Sequence, residues 1–256
     1  MKYIIYSTIL SISILLITAC VAKEDSEYYY IHATNVERIR LSAEISSIVD
    51  DCFENGSVEA CEALVRYAEE ESVEARFFVY LFSFDRNIFE LFGGAETFLS
   101  VLPEHNRLAA FQELVALADE GYGPAQAFVG QILYTSRRRT TGIDADPERA
   151  IEYLQNATEA DSRMAPLFLG FAYDEGIGVS GSSERATYFF ELAFERREAR
   201  AGIYLAQRAI AGEVVEQDLG YATQQLVRAA ELDYVPAIEA LCLGQGFEIT
   251  IPMPRY

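Results

Sequence analysis

The chain of 256 residues has no tryptophan and only two histidines, His32 and His105. Neither histidine has a second histidine, a cysteine or a carboxylate at a spacing typical of metal ligands, so the sequence predicts no zinc or transition-metal centre. Basic residues are scarce too, because 20 Lys and Arg stand against 40 Asp and Glu, for a formal net charge of −20. A surface this negative repels phosphate backbones, so we do not expect nucleic acid as a partner.

The motifs of common catalytic sites are missing as well. No glycine-rich loop leads into a Lys-Ser or Lys-Thr pair, and no G-x-S-x-G turn is present. The nearest approach to an acid–base pair is in two carboxylate runs, Asp50-Asp51 and Glu69-Glu70-Glu71, but such runs near helix ends are ordinarily solvated. We therefore predict a protein that is not an enzyme, with no catalytic residues, no cofactor and no metal.

The first 20 residues have the pattern of an export signal. Lys2 precedes an apolar run from Tyr3 to Ile17, and small residues then lead to Cys20. The run is near the lower limit for crossing a bilayer and no basic cluster follows it, so a signal is favoured over a spanning helix. The ending of this segment, ITAC, resembles the lipobox of bacterial lipoproteins; an ordinary signal peptide with a chance cysteine is the alternative.

The lipobox resemblance implies an address for the protein. Residues 1–19 would be a lipoprotein signal peptide, Cys20 would carry the lipid, and the attached acyl chains would hold the protein at a membrane face. Val21, which is not aspartate, favours the outer membrane. We therefore expect a lipid-anchored protein of the cell envelope, at the outer membrane and facing the periplasm or the cell surface. The polar residues 20–40 are predicted to be a tether.

Apolar residues recur along the body of the chain with a step of 36 residues. Hydrophobic residues make up 51% of the sequence, so this body is expected to fold. In each copy two alanines flank one large apolar residue. The alanines let the helix approach its neighbour closely, and the large residue fills the space between them. The positions in step are Ala150, Leu154 and Ala157; Ala186, Phe190 and Ala193; and Ala222, Leu226 and Ala229.

Each of these segments is predicted to be the second helix of a pair. Asp146, a serine of the Ser182-Ser183 pair and Asp218 are the candidate N-caps. The preceding helix of each pair begins at an alanine, and a glycine ends it or allows the turn that follows. These first helices are predicted to begin at Ala125, Ala165, Ala199 and Ala237.

The pattern A-x-x-x-L-G-x-x-Y-x-x-G-x-G-V is formed by Ala165, Leu169, Gly170, Tyr173, Gly176, Gly178 and Val179, followed by Ala186 and Ala193. It resembles the Sel-one-like repeat, a relative of the tetratricopeptide repeat. The resemblance implies an all-α fold, an αα-hairpin repeat solenoid wound as a right-handed superhelix, over residues 41–245. In the copy that starts at Ala199, Tyr204 and Gln207 stand where the pattern has Gly and Tyr.

Two segments depart from the repeat. Residues 85–106 are rich in phenylalanine and are interpreted as a helix with an irregular connection, with a small inserted hairpin as the alternative. Residues 246–256 break the helical periodicity and are predicted to be an irregular C-terminal tail, serving as a cap on the last helices or as a partner-binding segment.

Cys52 and Cys61 are candidates for a disulfide. The Asn55-Gly56 turn would bring the end of one helix to the start of the next, and the compartment outside the cytoplasm is oxidising. Cysteine-rich secreted members of the Sel-one-like repeat family pin successive helices with similar spacing. A reactive thiol is the weaker alternative because no His or Asn partner is evident. Cys242, at an apolar position, is expected to be buried.

In the tetratricopeptide relatives, exposed residues of the first helix line the concave face, and the resemblance implies the same here. Transfer by position gives one pair of residues in each repeat, with packing in the core as the alternative role. The basic run at 137–139 either docks an acidic partner or balances local charge. The predicted partner-binding pairs are Gln131 and Tyr134, Phe171 and Asp174, and Leu205 and Arg208.

These observations favour a membrane-anchored scaffold or adaptor that binds a protein, a peptide or an envelope polymer through the concave face of the repeats. A surface-displayed factor that engages host molecules is the first alternative. An enzyme that acts on envelope glycans through paired carboxylates is the second. The sequence does not identify the partner or the oligomeric state.

Overall fold

The computed structural model describes residues 42–53, 55–84, 95–102, 106–135, 142–212, 218–232 and 234–242. Every regular element in this part of the chain is an α-helix, and none is long and apolar enough to cross a membrane. The predicted signal peptide, tether and C-terminal tail lie outside the described residues, as do Cys20, the basic run at 137–139 and the side chain of Cys242.

The described helices fall into two compact units. The N-terminal unit, within His32–Gly181, contains α1 (Ala43–Phe53), α2 (Val58–Glu69), α3 (Val73–Phe84), α4 (Ala95–Val101), α5 (Arg107–Asp119), α6 (Gly123–Thr135), α7 (Pro147–Glu159) and α8 (Ala165–Glu175). The C-terminal unit, within Ser182–Tyr256, contains α9 (Ser183–Glu195), α10 (Ala199–Ala211), α11 (Leu219–Ala230) and α12 (Val235–Cys242).

Helices in each unit pack in series. In the N-terminal unit α1 contacts α2, α2 contacts α3, and the chain of contacts continues through α5, α6, α7 and α8. In the C-terminal unit α9, α10, α11 and α12 follow one another in the same way. This order confirms the all-α fold of stacked helical hairpins, in which each pair covers the apolar stripe of its neighbour.

We call the first helix of each pair an A helix and the second a B helix. The A helices are α1, α3, α6, α8, α10 and α12, and the B helices are α2, α5, α7, α9 and α11. The short helix α4 lies between α3 and α5 in sequence and packs against α1 and α2. It occupies part of the phenylalanine-rich segment 85–106, which thus contains a helix, as predicted.

The connection from each B helix to the next A helix has one repeated geometry. A backbone N–H after the B helix donates to the carbonyl oxygen five residues earlier, as in a Schellman motif. A residue with positive φ precedes the donor in four copies: Glu71, Gly121, Asp161 and Arg197, at 68°, 90°, 66° and 67°. The donor–acceptor pairs are Ser72–Tyr67, Tyr122–Leu117, Ser162–Ala157, Glu198–Ala193 and Tyr234–Ala229, at 2.9–3.2 Å.

Close approach between A and B helices depends on the small residues that recur in the sequence. All six alanines in step have no exposed surface, and the large residues Leu154, Phe190 and Leu226 are at most 2% exposed. Gly130 of α6 packs so tightly on α7 that a Cβ atom there would lie 2.8 Å from Leu154 Cγ and 3.2 Å from the carbonyl oxygen of Ala150. The predicted packing role of these positions is confirmed.

The predicted N-caps of the B helices are also confirmed. The Asp146 side chain accepts a hydrogen bond from the backbone N–H of Arg149, and Pro147 occupies the first turn. Ser182 is the serine that caps α9, and Asp218 caps α11 by accepting from the N–H of Tyr221 at 2.8 Å. These caps satisfy backbone donors that would otherwise lack an intrahelical partner.

Helix α10 begins at Ala199, as predicted, but its alignment with α8 differs by two residues from the one used to transfer the binding positions. The repeat alanine of this helix is Ala201 rather than Ala199, because α8 and α10 end at equivalent left-handed glycines, Gly176 and Gly212, both at φ 68°. The B-to-A turns before α8 and α10 also align with a step of 36, since Ser162 and Glu198 make the same backbone hydrogen bond. Because the turn has the same geometry in both copies, equivalent residues of α8 and α10 are 36 positions apart in the sequence.

Glycine is expected to be the most stable residue at the positive-φ position of these turns. Gly121→Ala should lower the free energy of unfolding by about 1 kcal/mol, although a Cβ there meets nothing within 4 Å, because left-handed backbone disfavours a side chain. Arg197→Gly should raise it by about 0.5 kcal/mol, since relief of that strain exceeds the added chain entropy. Urea denaturation measures both values. An unchanged free energy of unfolding in Gly121→Ala would contradict this account.

Candidate functional site

Three of the six predicted partner-binding residues are open to solvent. Gln131 and Tyr134 are partly exposed on α6, and Asp174 is exposed near the end of α8. Helices α6 and α8 are successive A helices of the N-terminal unit and contact each other. The structure therefore brings these side chains onto neighbouring helices of one unit, and we call Gln131, Tyr134 and Asp174, with Glu175, the A-helix surface.

Tyr134 is held in place within the A-helix surface. Its hydroxyl donates a hydrogen bond to Glu175 Oε2 at 2.8 Å, and its ring lies edge-on to Phe168 with 6.3 Å between centroids. Burial raises the pKa of the Tyr134 phenol, and the hydrogen bond to Glu175 and the charges of Glu175 and Asp174 raise it further. The phenol thus remains a neutral donor, and the side chain is ordered before any partner arrives.

The two carboxylates of the A-helix surface create a negative local potential. Asp174 and Glu175 are both exposed and form the last two residues of α8, immediately before its C-cap Gly176. The C-terminal end of a helix already carries a partial negative charge, so acidic residues there are unfavourable for helix stability. Asp174 and Glu175 therefore do not stabilise α8 through its dipole, which is consistent with a role in binding.

The other three predicted residues are buried, and the prediction is corrected for them. Phe171 is 6% exposed and packs edge-on against Phe168. Leu205 is 2% exposed and aligns with the core residue Leu169 once the step of 36 is applied. Arg208 is 7% exposed, because its guanidinium turns inward to the first turns of α9. None of the three is available as an open binding residue.

Arg208 instead links α10 to α9 inside the C-terminal unit. Its Nε donates to Thr187 Oγ1 at 2.9 Å, and its Nη2 donates to the backbone oxygen of Ser183 at 3.0 Å and to the Ser183 hydroxyl. The guanidinium carbon lies 5.9 Å from the centroid of the Phe190 ring. These contacts give the buried charge polar partners and a structural role.

The corrected register identifies two residues that the sequence prediction missed. With the step of 36, the positions equivalent to Phe171 and Asp174 are Gln207 and Ile210, and both are partly exposed on α10. The spacing of Gly176 and Gly212, which equals the spacing of the B-helix alanines, was the signal that could have placed them. The first alanine of α10 misled the prediction because Ala199 and Ala201 are both suitable small residues.

The predicted pairing of Cys52 with Cys61 is present, with an S–S distance of 2.08 Å. It joins the end of α1 to the first turns of α2, and both cysteines have no exposed surface. Gly56 adopts φ 63° in the connecting turn, as the Asn55-Gly56 prediction requires. A closed loop of about ten residues contributes roughly 2–3 kcal/mol. A reactive thiol is not consistent with a buried disulfide.

The carboxylate runs considered as acid–base candidates face solvent. Asp50 and Asp51 are exposed on α1, and Glu69, Glu70 and Glu71 are exposed at the end of α2. Among the residues that the structure describes, no group of three or more His, Cys, Asp or Glu side chains is arranged to hold a metal ion. Exposed carboxylates in such runs are solvated, as their sequence context suggested.

A polar network lies on the B helices α5 and α7. The Tyr153 hydroxyl donates to the Asp119 carboxylate and accepts from Arg149 Nη2 at 2.7 Å, and Arg149 forms an ion pair with Asp119 at 3.4 Å. Burial raises the pKa of Tyr153 to about 12, helped by the hydrogen bond to Asp119 and opposed by the charge of Arg149. This network joins two B helices and holds the phenol in its neutral form.

The geometry defines the class of the protein as an all-α array of helical hairpins with constant B-to-A turns. The family described as Sel1 repeat matches residues 123–162 and 165–198. These two stretches are therefore identified as Sel1 repeats, the unit of Sel1-like repeat proteins. Proteins of this kind commonly serve as scaffolds for protein–protein interaction and are generally not enzymes.

Solved structures share the fold. A Sel1 repeat protein from Oxalobacter formigenes has a TM-score of 0.59 and 19% sequence identity, and the match covers 77% of this chain and 71% of that one. The Escherichia coli protein c5321, described as a protective antigen of uropathogenic strains with an SLR fold, has a TM-score of 0.55 and 21% identity. That match covers 69% of this chain but only 34% of c5321, about a third of its length. No curated protein matches.

Tyr153 is expected to make stability fall at alkaline pH. Its pKa is about 12 in the folded chain and near 10 when unfolded, so its contribution is complete below pH 10 and declines as pH rises towards 12. Tyr153→Phe should therefore flatten the fall of unfolding free energy between pH 9 and about 11, measured by urea denaturation. The exposed Tyr188→Phe is the matched control, and identical pH profiles for the two variants would refute the assignment.

Proposed function

We propose that this protein is a lipid-anchored adaptor of the bacterial cell envelope that binds a protein or peptide partner through its A helices. The observation that carries the proposal is the A-helix surface, where Gln131, Tyr134 and Asp174 are open to solvent on successive A helices. The neighbouring position Phe171 is buried in the core, so Gln131, Tyr134 and Asp174 are the predicted binding residues that a partner can reach on these two helices.

The geometry of the A-helix surface suits recognition more than chemistry. Tyr134 offers an ordered aromatic ring, which is an efficient contact residue because little side-chain entropy is lost on binding. Gln131 adds both a donor and an acceptor. Asp174 and Glu175 add negative charge that favours a partner with basic groups and speeds its encounter.

The lipid anchor is proposed because the segment that ends at Cys20 resembles a lipobox. The Cys52–Cys61 disulfide supports it, because disulfides persist in oxidising compartments such as the periplasm or the cell exterior. A repeat array held at a membrane face presents its surface to partners at high local concentration. The anchor and the repeat array together supply the two parts that an adaptor needs.

Binding should be lost when the A-helix surface is altered. The double variant Gln131→Ala, Asp174→Ala is expected to lower recovery of a crosslinked partner at least tenfold, because truncation of interface residues weakens association. A photo-reactive amino acid at position 135, a partly exposed residue beside Tyr134 on α6, should give a discrete crosslinked product in intact cells. The product is identified by mass spectrometry.

The matched control removes the same two chemical groups elsewhere. Gln155→Ala, Glu159→Ala deletes one amide and one carboxylate that are exposed on α7, and it should leave crosslinking from position 135 unchanged. Circular dichroism checks that both double variants remain folded. Equal crosslinking in the two double variants would show that the partner binds at a different surface.

Membrane attachment should depend on a single cysteine. Cells fed an alkyne-labelled fatty acid should incorporate the label into the wild-type chain and not into Cys20→Ser, while Cys242→Ser should retain it. The wild-type chain should remain in the membrane pellet until detergent is added. Label on Cys20→Ser, or a wild-type chain that is free of the membrane, would remove the anchor from the proposal.

Display at the cell surface is a second candidate role, favoured by the description of the similar protein c5321 as a protective antigen. Protease added to intact cells separates the two settings. Degradation of the chain indicates a surface-displayed factor that host molecules can reach. Protection until the outer membrane is opened indicates an adaptor within the periplasm.

A further inference from the structure

The first described helix, α1, has three fully buried residues. Only Ile45, Cys52 and Phe53 of its residues are buried. It packs mainly against α2 and α4, and its residues Ile48 and Val49 are partly buried against the same core. In repeat arrays stability comes from each repeat and its nearest neighbours, so the docking of α1 depends on its link to α2 and α4.

The polar contacts of α1 are weak because they lie in solvent. The backbone N–H and hydroxyl of Ser42 donate to the Glu74 carboxylate at 2.8 and 2.7 Å, and both groups are exposed. Tyr67 donates to Glu44 at the surface. Water competes for each of these groups, so they add little to the docking of the helix.

Beneath α1 lies an aromatic cluster that its own Phe53 completes. The Phe53 ring is 4.9 Å from the ring of Phe82, 5.2 Å from that of Phe98 and 6.2 Å from that of Phe78, measured between centroids. Phe82 and Phe98 are at most 1% exposed. Movement of α1 away from the unit would remove one ring from this cluster and open the others to solvent.

We infer that α1 is a redox-gated cap, which the Cys52–Cys61 disulfide keeps docked over the aromatic cluster and which a dithiol reductant releases. The bond ties α1 to α2 one residue before Phe53, at the helix end that completes the cluster. No cysteine lies between positions 61 and 242, so reduction removes no other crosslink from this unit. The rest of the N-terminal unit should remain folded when α1 leaves.

The chemistry is thiol–disulfide exchange. A thiolate of the reductant attacks one cysteine sulfur, forms a mixed disulfide and expels the other sulfur as a thiolate. The second thiol of the reductant then displaces the first cysteine, so that the reductant ends as a cyclic disulfide and the protein gains two electrons and two protons as two thiols. Because both sulfurs are buried, attack requires local opening of the α1–α2 hairpin.

The test is hydrogen–deuterium exchange of the native chain before and after treatment with dithiothreitol, with the new thiols counted by alkylation and mass spectrometry. When two thiols have formed, amides of α1 should exchange about 100-fold faster, as expected from loss of a crosslink that closes a loop of about ten residues. Amides of α6 and α7 should change less than about twofold, and reoxidation should restore protection of α1.

The variant Cys52→Ala, Cys61→Ala is the matched control. Its α1 amides should exchange rapidly both with and without dithiothreitol. Unchanged protection of α1 after two thiols form would overturn the inference, because packing alone would then hold the helix. Loss of protection across α6 and α7 would overturn it too, since the bond would then support the whole unit. Failure of dithiothreitol to reduce the folded chain would also overturn it, because the cap could not then be gated.

Discussion

Close contact between A and B helices is the constraint on which the rest of this structure depends. Neither helix of a pair can cover its own apolar stripe, so each must lie against the next. The contact at Gly130 shows how little space is available, because one added methyl group would meet both Leu154 and a backbone oxygen. Alanine at the six positions in step meets the same limit, and large residues between them fill the remaining volume.

The B-to-A turn carries this packing from one pair to the next. Its repeated backbone hydrogen bond sets the start of each A helix relative to the end of the preceding B helix. Glu71, Asp161 and Arg197 adopt positive φ there despite their side chains, so the geometry is retained at some cost in backbone strain. The A-to-B connections vary far more in length, and one of them contains the extra helix α4. Variation is thus confined to the connections that do not set the register.

The packing of A helices on B helices determines which A-helix side chains are available at the candidate site. Side chains of the A helices that face the B helices belong to the core, which explains the burial of Leu205 and the inward turn of Arg208. Gln131, Tyr134 and Asp174 occupy other positions around the same helices and remain open. The prediction mixed the two sets because an error of two residues in a helix of 3.6 residues per turn rotates a side chain by more than half a turn.

The sequence by itself determined the helical class, the step of 36, the N-caps Asp146 and Asp218, and the pairing of Cys52 with Cys61, because these follow from local signals and from periodicity. Only the tertiary structure decided the register of α10, the burial of Phe171 and Arg208, and the hydrogen bond from Tyr134 to Glu175. Those features depend on which residues of different helices meet, and two alanines in α10 satisfied the sequence pattern equally well until the turn before the helix and the glycine after it selected one.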